Sequence, residues 1–368
     1  GVRTARLTVG AACESSGVPA PVILAIDGNS LVHRSYHAQA RTGLHDADGR
    51  PTWAVRGLLM QLVAAVERIR PLAVVVGFDD PDDSLRRTRW PLYKANRIEK
   101  LDSLVEQLTC AVEVLRELGV AVVVPRALEA DDVLASVAVH ARGVGARTVV
   151  VTSDRDAFAL IDDTTTVLRI INGGVDASPM MTAERLVLLL GVRPEQYRDF
   201  AALRGDPSDN LPGVRGIGPR TAARLLQEFG CARAAFDDLP AVRSRLGSGV
   251  AARLADPAAR AAWELNCQVM SMHADVPLHL DLGGGVGVLP LPAEAVGRVF
   301  RAQRLVWTVN DALCVLADVD PQRLERPRQP LPTWIDPPMN GGGFQRPALP
   351  KLPTRAARSA SAQLSLFD

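Results

Sequence analysis

Acidic residues close one apolar, strand-like run after another. Asp27 ends VILAID, Asp79 follows AVVVGF, Glu129, Asp131 and Asp132 follow VAVVVPRAL, and Asp154 and Asp156 follow TVVVTS. In a parallel α/β sheet the strand C-termini open onto one crevice, so carboxylates far apart in sequence are delivered to one place. Anions gathered in this way either raise some of their pKa values or collect divalent cations. An oxygen-only set without Cys or His selects hard ions such as Mg²⁺ or Mn²⁺. The pattern therefore reads as a Mg²⁺ site for phosphate chemistry. Any single acid also has a structural reading: Asp154 sits where a helix start would use a carboxylate to hold free amides.

The elements that must position these acids follow from periodicity. From Val22 to about Met181, short β-branched runs alternate with helical stretches such as AVRGLLMQLVAAVERI and DSLVEQLTCAVEVLRELG, whose apolar residues return at three and four. This predicts an α/β domain over 21–182, with a largely parallel central sheet, after an N-terminal extension over 1–20. From 183 to 320 strand signals nearly vanish, and Ala- and Leu-rich helices separated by Gly and Pro predict a second, helical domain. Residues 321–368 are rich in proline and basic residues and carry the run Gly341 to Gly343, which predicts a disordered tail.

With 368 residues, 47% of them apolar, the chain can bury a large core. A net charge of +1 decides nothing about nucleic acid, because an acidic metal site and a basic track cancel in the total. The five cysteines (Cys13, Cys110, Cys231, Cys267, Cys314) are scattered without CxxC spacing, as expected for reduced thiols in a cytoplasmic protein. No secretory h-region or membrane span is expected.

Six motifs, IDGNSLVHRSYHA, VVVGFDD, LYKANR, LEADDVLA, TSDRDAFAL and GDPSDNLPGVRGIGPRTA, occur in this order. Together they resemble the bacterial 5′-3′ exonuclease and flap endonuclease family, which includes the N-terminal nuclease domain of DNA polymerase I. The resemblance runs from about Pro21 to Asp320 and suggests a free-standing nuclease. It implies a PIN-like domain with two Mg²⁺ ions, for which Mn²⁺ can substitute. Asp27, Asp79, Glu129, Asp131 and Asp132 surround the first ion, and Asp154, Asp156, Asp206 and Asp209 the second. It also makes residues 80–101 an arch over the site. Arg86 and Lys94 match basic arch residues that steer and polarise the scissile phosphate, while Arg89, Tyr93 and Arg97 belong to a cation-and-aromatic surface suited to unpaired DNA. Where the family commonly has tyrosine this chain has His33, which either stacks on a base, with a charge available on protonation, or packs as a neutral ring.

The glycine spacing of GVRGIGPRTAARLLQEFG predicts a helix-hairpin-helix within 203–230, gripping duplex phosphates through backbone amides around Gly216, Gly218, Arg220 and Thr221. The resemblance makes it part of a helix-three-turn-helix whose turn carbonyls bind K⁺, with Val214 and Ile217 as candidates. Pro219 and Arg220 replace the family's frequent Glu-Lys pair, which puts K⁺ binding in question. The terminal Gln363, Leu364, Leu366 and Phe367 resemble the QLSLF form of the bacterial sliding-clamp-binding peptide.

The expectation is a monomeric, cytoplasmic, nucleoid-associated 5′ nuclease that acts on 5′ flaps or 5′ ends at single-strand/duplex junctions in replication and repair. The alternative is a non-catalytic module that binds such junctions.

Overall fold

A computed structural model describes residues 19–46, 49–97 and 99–324, without the side chain of residue 41. Residues 1–18 of the expected extension over 1–20, and residues 325–368 of the expected tail with its clamp-binding peptide, lie outside the described residues, whereas Pro321–Arg323 form a short 3-10 turn. Asp27 ends the first strand, β1 (Val22–Asp27), and its side chain accepts from the Ser30 amide, so one carboxylate both closes the strand and starts α1 (Gly28–Gln39). There follow α2 (Trp53–Ile69), β2 (Ala73–Gly77), α3 (Leu85–Arg89), α4 (Asp102–Leu118), β3 (Ala121–Val123), α5 (Ala130–Gly143), β4 (Arg147–Thr152) and β5 (Thr165–Arg169). The short α6 (Gly174–Ala177) and β6 (Met180–Met181) complete the α/β region.

The six strands lie in the order β3-β2-β1-β4-β5-β6, all parallel except β6, which pairs antiparallel to β5. Both faces are covered, which is why the strands read as continuous apolar runs and not as alternation. Ile23, Ala25, Val75 and Val150 pack with Val133, Leu134 and Val137 of α5 and with the helical region beyond. Leu24, Ile26, Val76 and Val151 pack on the opposite side with Leu58 and Leu62 of α2 and Leu115 of α4. The strand order reverses between β1 and β4, and the crevice beyond their C-terminal ends is where such sheets hold ligands.

Beyond the sheet come α7 (Ala183–Leu190), α8 (Tyr197–Arg204), a two-strand hairpin of β7 (Gly205–Asp206) and β8 (Leu211–Pro212), α9 (Pro219–Phe229) and further short helices through Pro257–Val269. The hairpin is held by a backbone crossing that only glycine permits. A Cβ on Gly205, at φ +80°, would lie 2.2 Å from the Gly213 nitrogen, and a Cβ on Gly213 would lie 2.2 Å from the Arg204 carbonyl oxygen.

The division at 183–320 needs correction. Val288 bridges antiparallel to Ala73, the Val74 amide donates to the Gly287 carbonyl at 2.7 Å, and Val296, Val299, Phe300, Leu313 and Leu316 join the α2–α4 face of the sheet. The chain thus leaves the helical region and returns to cover the first domain. Its helices at Ala293–Ala302 and Val309–Ala317 are amphipathic and look like any others in sequence, so nothing local reveals which core they serve. Among the described residues no helix is long and apolar enough to cross a membrane.

Candidate active site

Each acid is positioned by the end of the element that carries it. Asp27, 6% exposed, uses its second oxygen to accept from the Thr152 hydroxyl at the end of β4, at 2.7 Å. Asp79, two residues beyond β2, is gripped by Asn29: its carboxylate accepts from the Asn29 amide, its own amide donates to the Asn29 carbonyl oxygen, and its other oxygen accepts from the Ala130 amide, all at 2.9 Å. Glu129 caps α5, and Asp131 lies in its first turn. After β4, the Asp154 amide donates to Thr152 Oγ1 and its carboxylate accepts from the Asp156 amide. The β7–β8 hairpin brings in Asp206 and Asp209, with Asp206 Oδ1 held by Ser208.

The electrostatics are those of crowded anions. Burial, followed by the charges of Asp79 and Asp154, raises the Asp27 pKa to about 7 despite its two hydrogen bonds. Burial raises that of Asp156 to about 8, with Asp154, Asp206 and Asp209 adding to it. Asp131 is raised well above the usual carboxylate range by burial and by Asp154 and Asp27, and Asp154 is raised in the same direction. Among the described residues no group of three acids closes on one point as a ready-made cation cage. Uncompensated carboxylates repel one another, which favours a spread arrangement.

The arch segment contributes the cations. Lys94 adopts a left-handed backbone (φ 56°), and its amide donates to the Asp209 carbonyl at 2.9 Å. This turn sends its ammonium inward, 3.0 Å from Glu129 Oε2. Burial opposes that charge, but Glu129 and Asp209 outweigh it and hold the Lys94 pKa above its ordinary value. Arg97 pairs with Asp209, and Asn210 bonds both Asn96 and the Leu92 carbonyl, so the arch base and the β7–β8 hairpin are fastened together.

Three sequence expectations, those for Asp132, Arg86 and Tyr93, are corrected by this geometry, and for His33 one of two alternatives is selected. Asp132 does not face the crevice. Fully buried, it accepts two bonds from Arg86 at 2.7 Å and others from the amides of Glu129 and His273, which leaves no free oxygen for an ion. Arg86 in turn donates to the carbonyls of Val269 and Ser271 and lies 3.5 Å from Glu129 Oε2, so it anchors the arch instead of reaching for a phosphate. Tyr93 is 6% exposed and donates to Glu129, so its ring offers no free face to an unpaired base. His33 is half-buried beside Lys100 and Arg97. Burial and these cations lower its pKa to about 4, which selects the neutral ring.

In the helix-hairpin-helix, Gly216 takes φ 77°, its carbonyl accepts from Arg253, and Gly218 caps α9 with open space where a Cβ would stand. Arg220 is exposed and Thr221 half-buried in the first turn of α9. The Val214 carbonyl already accepts from the Ile217 amide at 2.9 Å. Sequence reasoning missed Asn29, Thr152 and the Gly205–Gly213 crossing. Asn29 lies inside a recognisable motif, but its partner is fifty positions away.

A parallel sheet with a carboxylate crevice at its strand ends, followed by a helical region carrying a glycine hairpin, defines the PIN-like α/β class. Two family models extend this to sequence: one described as 5′-3′ exonuclease, N-terminal resolvase-like domain, matches residues 22–188, and one described as 5′-3′ exonuclease, C-terminal SAM fold, matches 192–284. The two run consecutively over well over half of the chain, which belongs to the 5′-3′ exonuclease family. DNA polymerase I of Mycobacterium tuberculosis is 38% identical over 258 residues, covering 70% of this chain but only 28% of that protein's length. Among solved structures, T5 5′-exonuclease with bound zinc superposes with a TM-score of 0.56 at 17% identity, over 78% of this chain and 99% of that one. The catalytic core of Rad2 in complex with DNA gives 0.51 at 15% identity, over 81% and 92%. At such identities these likenesses establish the fold.

Proposed function

We propose that this chain is a divalent-metal-dependent, structure-selective 5′ nuclease that hydrolyses phosphodiesters at a 5′ flap or 5′ end beside a single-strand/duplex junction, in DNA and in RNA primers. The observation that carries the reading is a crevice in which separate strand ends and one hairpin deliver Asp27, Asp79, Glu129, Asp131, Asp154, Asp156, Asp206 and Asp209 while Lys94 stands over them. The donor set fits a hard cation: all ligands are oxygen, and Asp27 and Asp156 are held in a protonation range that only added positive charge relieves. The absence of a closed cage is compatible with Mg²⁺, which keeps several of its waters.

When bound, such ions would supply Lewis-acid stabilisation of the phosphoryl oxygens and a nucleophilic water. The protein's own share is positional. Asn29 and Thr152 fix the rotamers of Asp79 and Asp27, and Lys94 presents an ammonium to an approaching phosphate. The zinc-bound T5 enzyme and the DNA-bound Rad2 core support metal and DNA as ligands here. The amides at Gly216 to Thr221, with Arg220, would hold the duplex. K⁺ would be held by the carbonyls of Val214, which also accepts from the Ile217 amide, and of Ile217. Sliding-clamp binding through Gln363, Leu364, Leu366 and Phe367, a monomeric state and a nucleoid location rest on sequence; calorimetry of the isolated peptide against the clamp tests the first.

The alternative reading is a module that binds junctions without cutting them. Metal-stripped protein separates the two. The nuclease reading requires that a labelled 5′-flap substrate stay intact in chelator and be cut when Mg²⁺ or Mn²⁺ is restored; binding without cutting in either condition supports the module.

A further inference from the structure

A second cavity, of about 710 Å³, lies on the other side of the arch anchor and is within the range of ~300–1,000 Å³ typical of ligand sites. It shares Arg86 and Met272 with the carboxylate crevice, so the two spaces are separated by a single wall. Three arginines from different elements line it: Arg89 of α3, Arg198 of α8, and Arg233 in the helix Ala232–Asp237. All three are exposed, and none is ion-paired among the described residues. Two acids stand on the same wall. Asp199 accepts from Trp263 Nε1 at 3.0 Å and the Ala232 amide at 2.8 Å, neutral donors that leave its charge in place, and Glu264 pairs with Arg260 at 3.2 Å. Three arginines against one unpaired carboxylate leave the cavity positive on balance.

The same wall offers flat faces. Trp90 is half-buried, with the Arg89 guanidinium 4.8 Å from its ring centroid, and the Arg233 guanidinium lies 5.8 Å from that of Trp263. Trp263 is itself committed, stacked on Phe236 and hydrogen-bonded to Asp199, so it forms a rigid floor. Guanidinium charge that no carboxylate pairs, stacked on an indole, is a combination that tracks a phosphate backbone while offering its planar outer face to an unpaired base. A duplex, whose bases are already stacked, has no use for a recess of this kind.

We propose that this cavity is a binding site for single-stranded nucleic acid, receiving the unpaired 5′ strand where it passes the Arg86 wall, with Arg198 and Arg233 holding phosphates and the Arg89 guanidinium, stacked on Trp90, taking a base on its outer face. The assignment to the 5′ strand rests on the nuclease reading, whereas single-strand binding does not.

The test uses the full chain in chelator, so that nothing is cut, and follows anisotropy of a labelled oligothymidylate and of a blunt duplex across a salt series. Arg198→Gln/Arg233→Gln should weaken oligothymidylate binding severalfold and lower its salt slope by about 1.4, as for two lost single-strand phosphate contacts. Duplex binding should be unchanged, and Arg198→Lys/Arg233→Lys should recover most of the oligonucleotide affinity. Equal loss on both ligands, or loss on neither, overturns the proposal. Cleavage of a flap by the wild type with Mg²⁺ is scored separately. Failure there with the oligonucleotide result intact contradicts the nuclease reading and leaves the single-strand site standing.

Discussion

Arg86 and Asp132 meet in a two-pronged ion pair, each N···O distance 2.7 Å, with the carboxylate wholly buried. It joins three segments distant in sequence: the arch helix α3, the first turn of α5, and the end of the helix Pro257–Val269, where the Val269 and Ser271 carbonyls take two further guanidinium donors. Removing Arg86 leaves Asp132 charged in a dry environment, and removing Asp132 leaves Arg86 with only the longer contact to Glu129 at 3.5 Å, losses of about 3–5 kcal/mol for a buried pair. Asp132→Ala and Arg86→Ala should therefore lose stability of that order in urea unfolding. Asp79→Asn, at the open crevice, should lose much less. Comparable losses at all three positions would return Asp132 to the metal site.

Lys94 differs from Arg86 in pairing with one carboxylate, Glu129, and lying 4.7 Å from the Tyr93 ring centroid, with its side chain aimed at the crevice. Lys94→Ala should slow single-turnover cleavage by about a hundredfold or more, as expected for a lost preorganised charge. Duplex affinity should stay nearly unchanged. A variant that loses affinity and keeps its rate would place Lys94 in the binding surface.

The crevice should make the metal-free protein sensitive to pH. Asp27 and Asp156 titrate at about 7 and about 8 in the fold, above an unfolded value of about 3.9. The folded state therefore holds protons more tightly than the unfolded one. This contribution to stability is complete below the unfolded pKa and is lost as pH rises through 7 to 8. His33, lowered to about 4, is already neutral across that window. In chelator, Tm should fall as pH rises from about 6 to about 9, and saturating Mg²⁺ should flatten the decline by replacing the protons. A Tm that rises with pH in chelator would contradict the crowded-anion account.

Gly213 has no unusual φ, so its substitution isolates the steric term. Gly213→Ala forces a methyl against the Arg204 carbonyl and should cost about 2 kcal/mol or more while displacing Asp206 and Asp209. Cleavage should fall with it. A variant of parental stability and activity would show that the hairpin tolerates being opened.

The sheet and the crevice acids were legible because both depend on local pattern: buried β-branched runs followed by a carboxylate. What stayed hidden depends on partners set by the tertiary fold. Asp132, three residues after Glu129, has the spacing of a ligand and of a helix cap alike, and its arginine comes from another segment. Tyr93 looks like a stacking residue until Leu211 and Val269 are found packed against it. The helices after Val288 carry no mark of the core to which they return, and Gly213 reads as an ordinary turn residue until Gly205 crosses it.

The central claim, that these carboxylates serve metal-dependent cutting and not DNA grip, is tested most directly by measuring flap binding and flap cleavage on the same preparations of wild type, Asp154→Asn and Asp156→Asn, with and without Mg²⁺. The account requires cleavage by the wild type only with Mg²⁺, its loss in both variants, and flap affinity within a few-fold of the wild type in all three. Cleavage in chelator, or turnover in either variant close to that of the wild type, contradicts it.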